Sequence, residues 1–102
     1  MFNKSNIKIV KNITIETLVS QNQDIDASDL DGEKVMMNLD KGEYFMMNEI
    51  GSRIWDIIEN PVKVDEVVVT LLSEYEVDRE TCENTVLEFL GRLNNAELIT
   101  VN

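Results

Sequence analysis

Covalent chemistry in this chain would have to begin at Cys82, because the sequence holds one cysteine and no histidine. Without an imidazole there is no Ser-His or Cys-His pair to activate a nucleophile, and no histidine ligand for a metal. A single thiol makes no intramolecular disulfide and no cysteine-rich metal site. Cys82 also falls on an apolar stripe, where a thiol is expected to be buried and inert. The carboxylates are the other candidates. Asp24, Asp26, Asp29 and Asp31 crowd into the run NQDIDASDLD. A calcium loop needs a glycine and a closing glutamate at set positions, and that pattern is missing. These acids read as a solvated loop. No metal, no cofactor and no enzymatic activity are expected.

What remains is recognition, and charge limits its kind. The chain has 102 residues, a net charge of −11 and a pI near 4.2. Binding to phosphate backbones draws most of its non-specific affinity from cationic side chains, so nucleic acid is an unfavourable partner. An anionic membrane surface is equally unfavourable, and no apolar run is long enough to span a bilayer. A protein or peptide partner, with basic character, fits the charge better. The N-terminus lacks the continuous apolar centre of a signal peptide, and a cytoplasmic location is expected. At 43% hydrophobic the chain can build one core of its own.

The elements that must position any recognition surface centre on residues 32–55, GEKVMMNLDKGEYFMMNEIGSRIW. Val35, Met37 and Leu39 alternate along one strand, and Phe45 and Met47 along the next. Asp40-Lys41-Gly42 joins them, with Gly42 suited to a left-handed turn position. Asn48 then stands at a helix N-cap with Glu49 in the first turn. The outer edge of the second strand is expected to be free. Met37 and Met47 read as core; Met36 and Met46 fit either the core or an adaptable surface.

Around this unit, residues 1–12 form an arm, either flexible or an extra edge strand, and residues 13–102 form the domain. Ile13–Gln21 suggests a first strand and residues 22–31 a loop. A helix over Asn48–Glu59 puts Ile50, Ile54, Trp55 and Ile58 on one face, with Trp55 as a core anchor, and Asn60-Pro61 ends it. Val64–Tyr75 carries apolar residues at spacings of three and four. Asp78 caps a longer helix from Arg79 to about Asn94, where Cys82, Val86, Phe89 and Leu93 make a stripe with Leu90 beside it. Its apolar arc spans roughly 160°, wider than the ~100° that a surface helix needs. Either the helix is wedged between two elements or its rim also lines a groove. Gly91 within it suggests a close approach of another element. Leu98–Val101 is a short last strand.

The class is therefore α+β and winged helix-turn-helix-like: a three-stranded antiparallel sheet followed by three helices. A DNA-binding regulator of that shape would place a basic last helix in the major groove. Here Arg79 and Arg92 stand among Glu80, Glu83, Glu88 and Glu97, so a winged-helix transcriptional regulator is the weaker alternative.

The run from Asp31 to Ile99 resembles the PqqD-like family. The matching pieces are a DG ahead of the hairpin, then Leu39, Asp40, Gly42, Tyr44 and Phe45. Next come Met47, Asn48, Glu49, Gly51, Ile54 and Trp55, and finally a V-L-x-F-L-x-x-L helix. The family usually has leucine where this chain has Met47. The resemblance implies a recognition element for ribosomally made, modified peptides. Such a domain binds the leader segment of a precursor peptide. It presents the leader to a modifying enzyme, often a radical SAM enzyme, or to a leader peptidase in lasso-peptide pathways. The leader is expected to add as a strand beside Glu43, Tyr44, Phe45, Met46 and Met47. Its side chains would enter a cleft against the last helix, at Arg79, Glu83, Val86, Phe89, Leu90 and Leu93. An exposed strand edge suits this mode.

Overall fold

The computed structural model describes residues 13–31, 33–38 and 42–102. The N-terminal arm and the tip of the central hairpin, residues 39–41, lie outside the described residues. The elements run β1 (Leu18–Gln21), β2 (Asp26–Leu30), β3 (Glu33–Asn38), β4 (Glu43–Met47) and α1 (Glu49–Ile57). They continue with β5 (Val62–Lys63), α2 (Val64–Glu74), α3 (Arg79–Asn95) and β6 (Ile99–Val101). Two antiparallel three-stranded sheets result, one in the order β2-β3-β4 and one in the order β5-β1-β6.

The three-stranded sheet ahead of the helices is present, but its first strand differs from expectation. The acidic stretch read as a loop contains β2, which pairs with β3 along its whole length, from Asp26↔Met37 to Leu30↔Glu33. Every residue of β2 is exposed, so it buries no side chain that a hydrophobic pattern would reveal. Pairing holds it in place instead. Asp29 lies directly opposite Lys34 and accepts from Nζ at 2.9 Å. Asp31, at φ 54°, turns the chain into β3.

The strand expected from Ile13 is shorter and belongs to the other sheet. Thr14–Thr17 closes a local turn: Thr17 N–H donates to the Thr14 carbonyl at 3.1 Å, and Thr14 N–H to Thr17 Oγ1 at 2.9 Å. Threonine hydroxyls favour such turns over a ladder. The carbonyls this frees cap α2. Asp65 N–H donates to Ile15 O at 2.8 Å and Val64 N–H to Thr17 O at 3.0 Å. These bonds satisfy amides at the start of α2, whose N-cap residue Lys63 makes no side-chain cap bond. β1 then runs between β5 and β6, with Val19 fully buried.

β3 presents the opposite face from the one its apolar content suggests. Met36 is fully buried and Met37 is 46% exposed. Cross-strand partners share a face, and β4 pairs Phe45 with Met36 and Met47 with Lys34. Once Phe45 and Met47 turn inward, Lys34, Met36 and Asn38 must follow. Asn38 is buried and donates from Nδ2 to the Ala96 carbonyl at 3.4 Å.

The helices form as their caps direct. Asn48 caps α1, its Oδ1 accepting from Gly51 N–H at 2.8 Å. Asp78 caps α3 by accepting from Thr81 N–H at 3.0 Å and Thr81 Oγ1 at 2.8 Å. α3 ends in a Schellman motif, with Leu98 N–H bonding to Leu93 O and Glu97 N–H to Asn94 O around Glu97 at φ 60°. Ile54 and Trp55 of α1 with its C-cap Ile58, Val67, Val68 and Leu71 of α2, and Val86, Leu90 and Leu93 of α3 share one core. Ser52 fixes the hairpin to it. This buried hydroxyl donates to Met47 O at 3.2 Å and accepts from Lys34 N–H at 2.9 Å, so it grips both central strands from α1.

Candidate functional site

β4 pairs with β3 on one side, and among the described residues no strand pairs with its other side. A row of backbone amides and carbonyls therefore lies open along Glu43–Met47, the arrangement to which another strand can add. Gly42, at φ +66°, gives the turn into this strand the left-handed residue it needs. Alternation then divides the side chains. Phe45 is half-buried and Met47 buried on the inner face, whereas Tyr44 is 68% and Met46 59% exposed.

Beside the edge stands α3. Phe45, Met46, Met47 and Asn48 on one wall and Phe89, Arg92 and Leu93 on the other enclose a hollow of about 320 Å³. A smaller hollow of about 150 Å³ continues it past Gly51, Ile54 and Thr85, sharing Asn48, Phe89 and Arg92. A third, apolar one of about 320 Å³ follows under Tyr75, sharing Ile50 and Thr85 and floored by Cys82 and Val86. Together they form a trough along α3, from Leu93 back to Cys82.

One close contact sets the width of the trough. A Cβ on Gly51 would meet Cε1 and Cζ of Phe89 at 3.0 Å, so glycine there lets the Phe89 ring lie directly on α1. Gly91, expected to permit a close approach, has nothing within 4 Å of where its Cβ would be. The close approach is real but belongs to the other glycine.

The expected peptide-binding residues divide into three groups. Phe45, Met46, Met47, Phe89 and Leu93 come together around the first hollow, and Glu43 and Tyr44 lead the open edge. Val86 and Leu90 are fully buried. Val86 backs the third hollow, while Leu90 belongs to the core and supports the wall from behind. Arg79 and Glu83 lie elsewhere. Arg79 Nε donates to Glu83 at 2.8 Å and its Nη2 donates to Asp65, which ties the start of α3 to α2. The adjoining carboxylates, Glu83 first, raise the Arg79 pKa from its ordinary value. Asn48 and Arg92 line the trough without having been expected there. Asn48 was legible only as a helix cap. Arg92 could have been found three residues beyond Phe89, on the same helical face.

Little reactive chemistry is available in the trough. Burial pushes the Cys82 thiol above its ordinary pKa, which disfavours the thiolate form. No group of three or more metal-ligating side chains occurs among the described residues, and no helix among them is long and apolar enough to cross a membrane. α3 carries no basic stripe, since Arg79 is neutralised and Glu80 and Glu88 are exposed.

The family model for coenzyme PQQ synthesis protein D (PqqD) matches residues 33–99. The chain belongs to the PqqD family. The match takes in β3, β4 and all three helices, and so every element that forms the trough; β1 and β2 precede it. Among solved structures, TbiB1 in complex with the TbiA(beta) leader peptide is 35% identical. The similarity covers 78% of this chain and 93% of that one, with a TM-score of 0.73. A lasso peptide synthetase B1 complexed with the leader peptide shares the fold at 22% identity and a TM-score of 0.67, over 80% of this chain and 96% of that one. No curated protein matches the chain. The α+β arrangement expected from the sequence is thus that of PqqD-family domains.

Proposed function

We propose that this PqqD-family domain binds the leader segment of a ribosomally synthesised precursor peptide as a strand added to β4. It then presents that peptide to a modifying enzyme of the radical SAM type or to a leader peptidase. The observation that carries the reading is the open edge of β4 beside an apolar hollow walled by Phe45, Met47, Phe89 and Leu93. The likeness to TbiB1, which was solved with a leader peptide, supports it at 35% identity.

The energetics favour an edge with pockets over an edge alone. Ordering six peptide residues costs roughly 6–12 kcal/mol of backbone entropy. About five ladder bonds return only ~2.5–7.5 kcal/mol net. Two or three apolar side chains, at ~1.5–3 kcal/mol each when buried, make up the difference. The hollows along α3 have room for them. The domain supplies no reacting group; its role is to hold the substrate and raise its concentration near an enzyme that does the chemistry. Such a role belongs in the cytoplasm, where a ribosomal precursor is released.

Amide NMR during titration with the leader peptide of its precursor tests this. Shifts are expected at Glu43–Met47 and along Thr85–Leu93. Shifts confined to residues 22–31 would refute the site.

A further inference from the structure

Five lysines and arginines fall within the described residues, and four of them are neutralised in place. Lys34 pairs with Asp29 and Asp56, Arg53 with Glu74, Lys63 with Glu16, and Arg79 with Asp65 and Glu83. The Arg92 side chain makes no ion pair or hydrogen bond among the described residues. It is exposed, and it lines both hollows next to β4. On a chain of net charge −11, an uncompensated guanidinium beside an open strand edge calls for an explanation.

We propose that Arg92 is a specificity-determining residue, selecting an aspartate or glutamate in the bound peptide near the N-terminal end of the added strand. The proposal rests on the strand-addition reading above and names one chemical feature of its ligand. The position follows from geometry. β4 is antiparallel to β3, and antiparallel pairing is the more stable kind, so a peptide on the other edge runs antiparallel to β4 as well. Its N-terminal end then lies beside Met47 and Asn48, which share the first hollow with Arg92. Glu43, at the opposite end of the strand, does not line that hollow.

The chemistry follows from the planar fork of the guanidinium, which matches a carboxylate through two parallel hydrogen bonds. Phe89 and Leu93 beside it exclude part of the water and strengthen the pair. Repulsion sharpens the choice. Glu88, one turn earlier, lines the smaller hollow without pairing with Arg92, and the rest of the surface is predominantly acidic. A peptide carboxylate is therefore attracted at one place and disfavoured elsewhere, which is how discrimination arises from both signs at once. The net charge alone points to a basic partner; Arg92 marks a local exception.

A library of random linear peptides displayed on yeast, sorted separately on the wild-type domain and on Arg92→Glu, tests this without knowledge of the natural precursor. Arg92 is exposed and unpaired, so the variant should fold, as a thermal melt will verify. Wild-type binders should share alternating apolar residues preceded by Asp or Glu. The Arg92→Glu pool should keep the apolar pattern and exchange that acid for Lys or Arg. For one synthetic wild-type binder, Arg92→Gln should weaken Kd by about five-fold, in line with a partly exposed ion pair. The loss should vanish when the peptide's acid is replaced by its amide. The same acidic preference in both pools, or none in the wild-type pool, overturns the role of Arg92. Binders that ignore Phe45→Asp overturn the strand-addition reading and the inference with it.

Discussion

Phe45 and Tyr44 offer the sharpest test of the site, because they are adjacent aromatics on one free edge and face opposite ways. Replacing either with alanine leaves the backbone of β4 able to bond a new strand, so any difference between them measures the hollow. Phe45 is half-buried before a peptide arrives, with its inner side packed against the core. Fully burying a phenylalanine contributes ~1.5–3 kcal/mol, and the part still exposed is the part a peptide covers. Phe45→Ala should then cost about 1–2 kcal/mol of binding, roughly a 5- to 30-fold rise in Kd. Its own stability cost should be below the ~3–5 kcal/mol of a fully buried phenylalanine, so the variant should stay folded. Tyr44 is 68% exposed on the outer face, and Tyr44→Ala should change Kd by less than about two-fold, as non-central positions do. Fluorescence anisotropy with a labelled leader peptide measures both, after a melt has established that each variant is folded. If Tyr44→Ala weakens binding as much as Phe45→Ala, the peptide does not use the trough.

Three further expectations concern the frame around the site. Gly91→Ala should stabilise the domain by up to about 1 kcal/mol in urea unfolding, because helix propensity improves and nothing meets the new methyl group. Gly51→Ala should instead lose about 1 kcal/mol net and weaken peptide binding, since the Phe89 ring must move off α1. The Asp78 carboxyl is held below its ordinary pKa by Thr81 N–H and Oγ1. A depressed carboxylate contributes stability above its unfolded pKa and loses it as pH falls through the folded one. The gap in melting temperature between wild type and Asp78→Ala should therefore be widest at neutral pH and narrow below about pH 4; a gap independent of pH would refute the charged cap.

The helices were legible in the sequence because their signals are local. Asn48, Asp78 and the three- and four-residue apolar spacings fix where α1, α2 and α3 begin and which faces they bury. The strands were less legible because their faces depend on partners. Nothing within β3 distinguishes Val35 and Met37 from Met36 as the inward set; the β4 register decides it. β2 has no buried residue to give it a pattern, and the one available signal was the Asp31-Gly32 pair, a common two-residue hairpin connection. The lining of the trough was legible where it is apolar and not where it is polar. Phe89 and Leu93 belong to a stripe, whereas Arg92 resembles any solvated surface cation until its lack of a partner is seen.

The β2-β3-β4 sheet has two outer edges, and the proposed guest strand suits the β4 edge better than the β2 edge. Among the described residues no strand pairs with the far side of β2, but all five of its residues are exposed and two of them are aspartates. A strand added there would gain ladder bonds and no pocket, and those bonds alone do not repay its loss of entropy. The aspartates also discourage edge-to-edge pairing. β4 differs in having α3 beside it. The Ser52 hydroxyl holds Met47 and Lys34 against α1, and Gly51 seats Phe89 on the same helix, so wall and edge are fixed by neighbouring residues of one turn. A site of this kind is pre-formed, which removes a cost from binding that a mobile hairpin would have to meet. On the proposed reading, selectivity between the two edges comes from the helix that flanks one of them, since their backbone chemistry is the same.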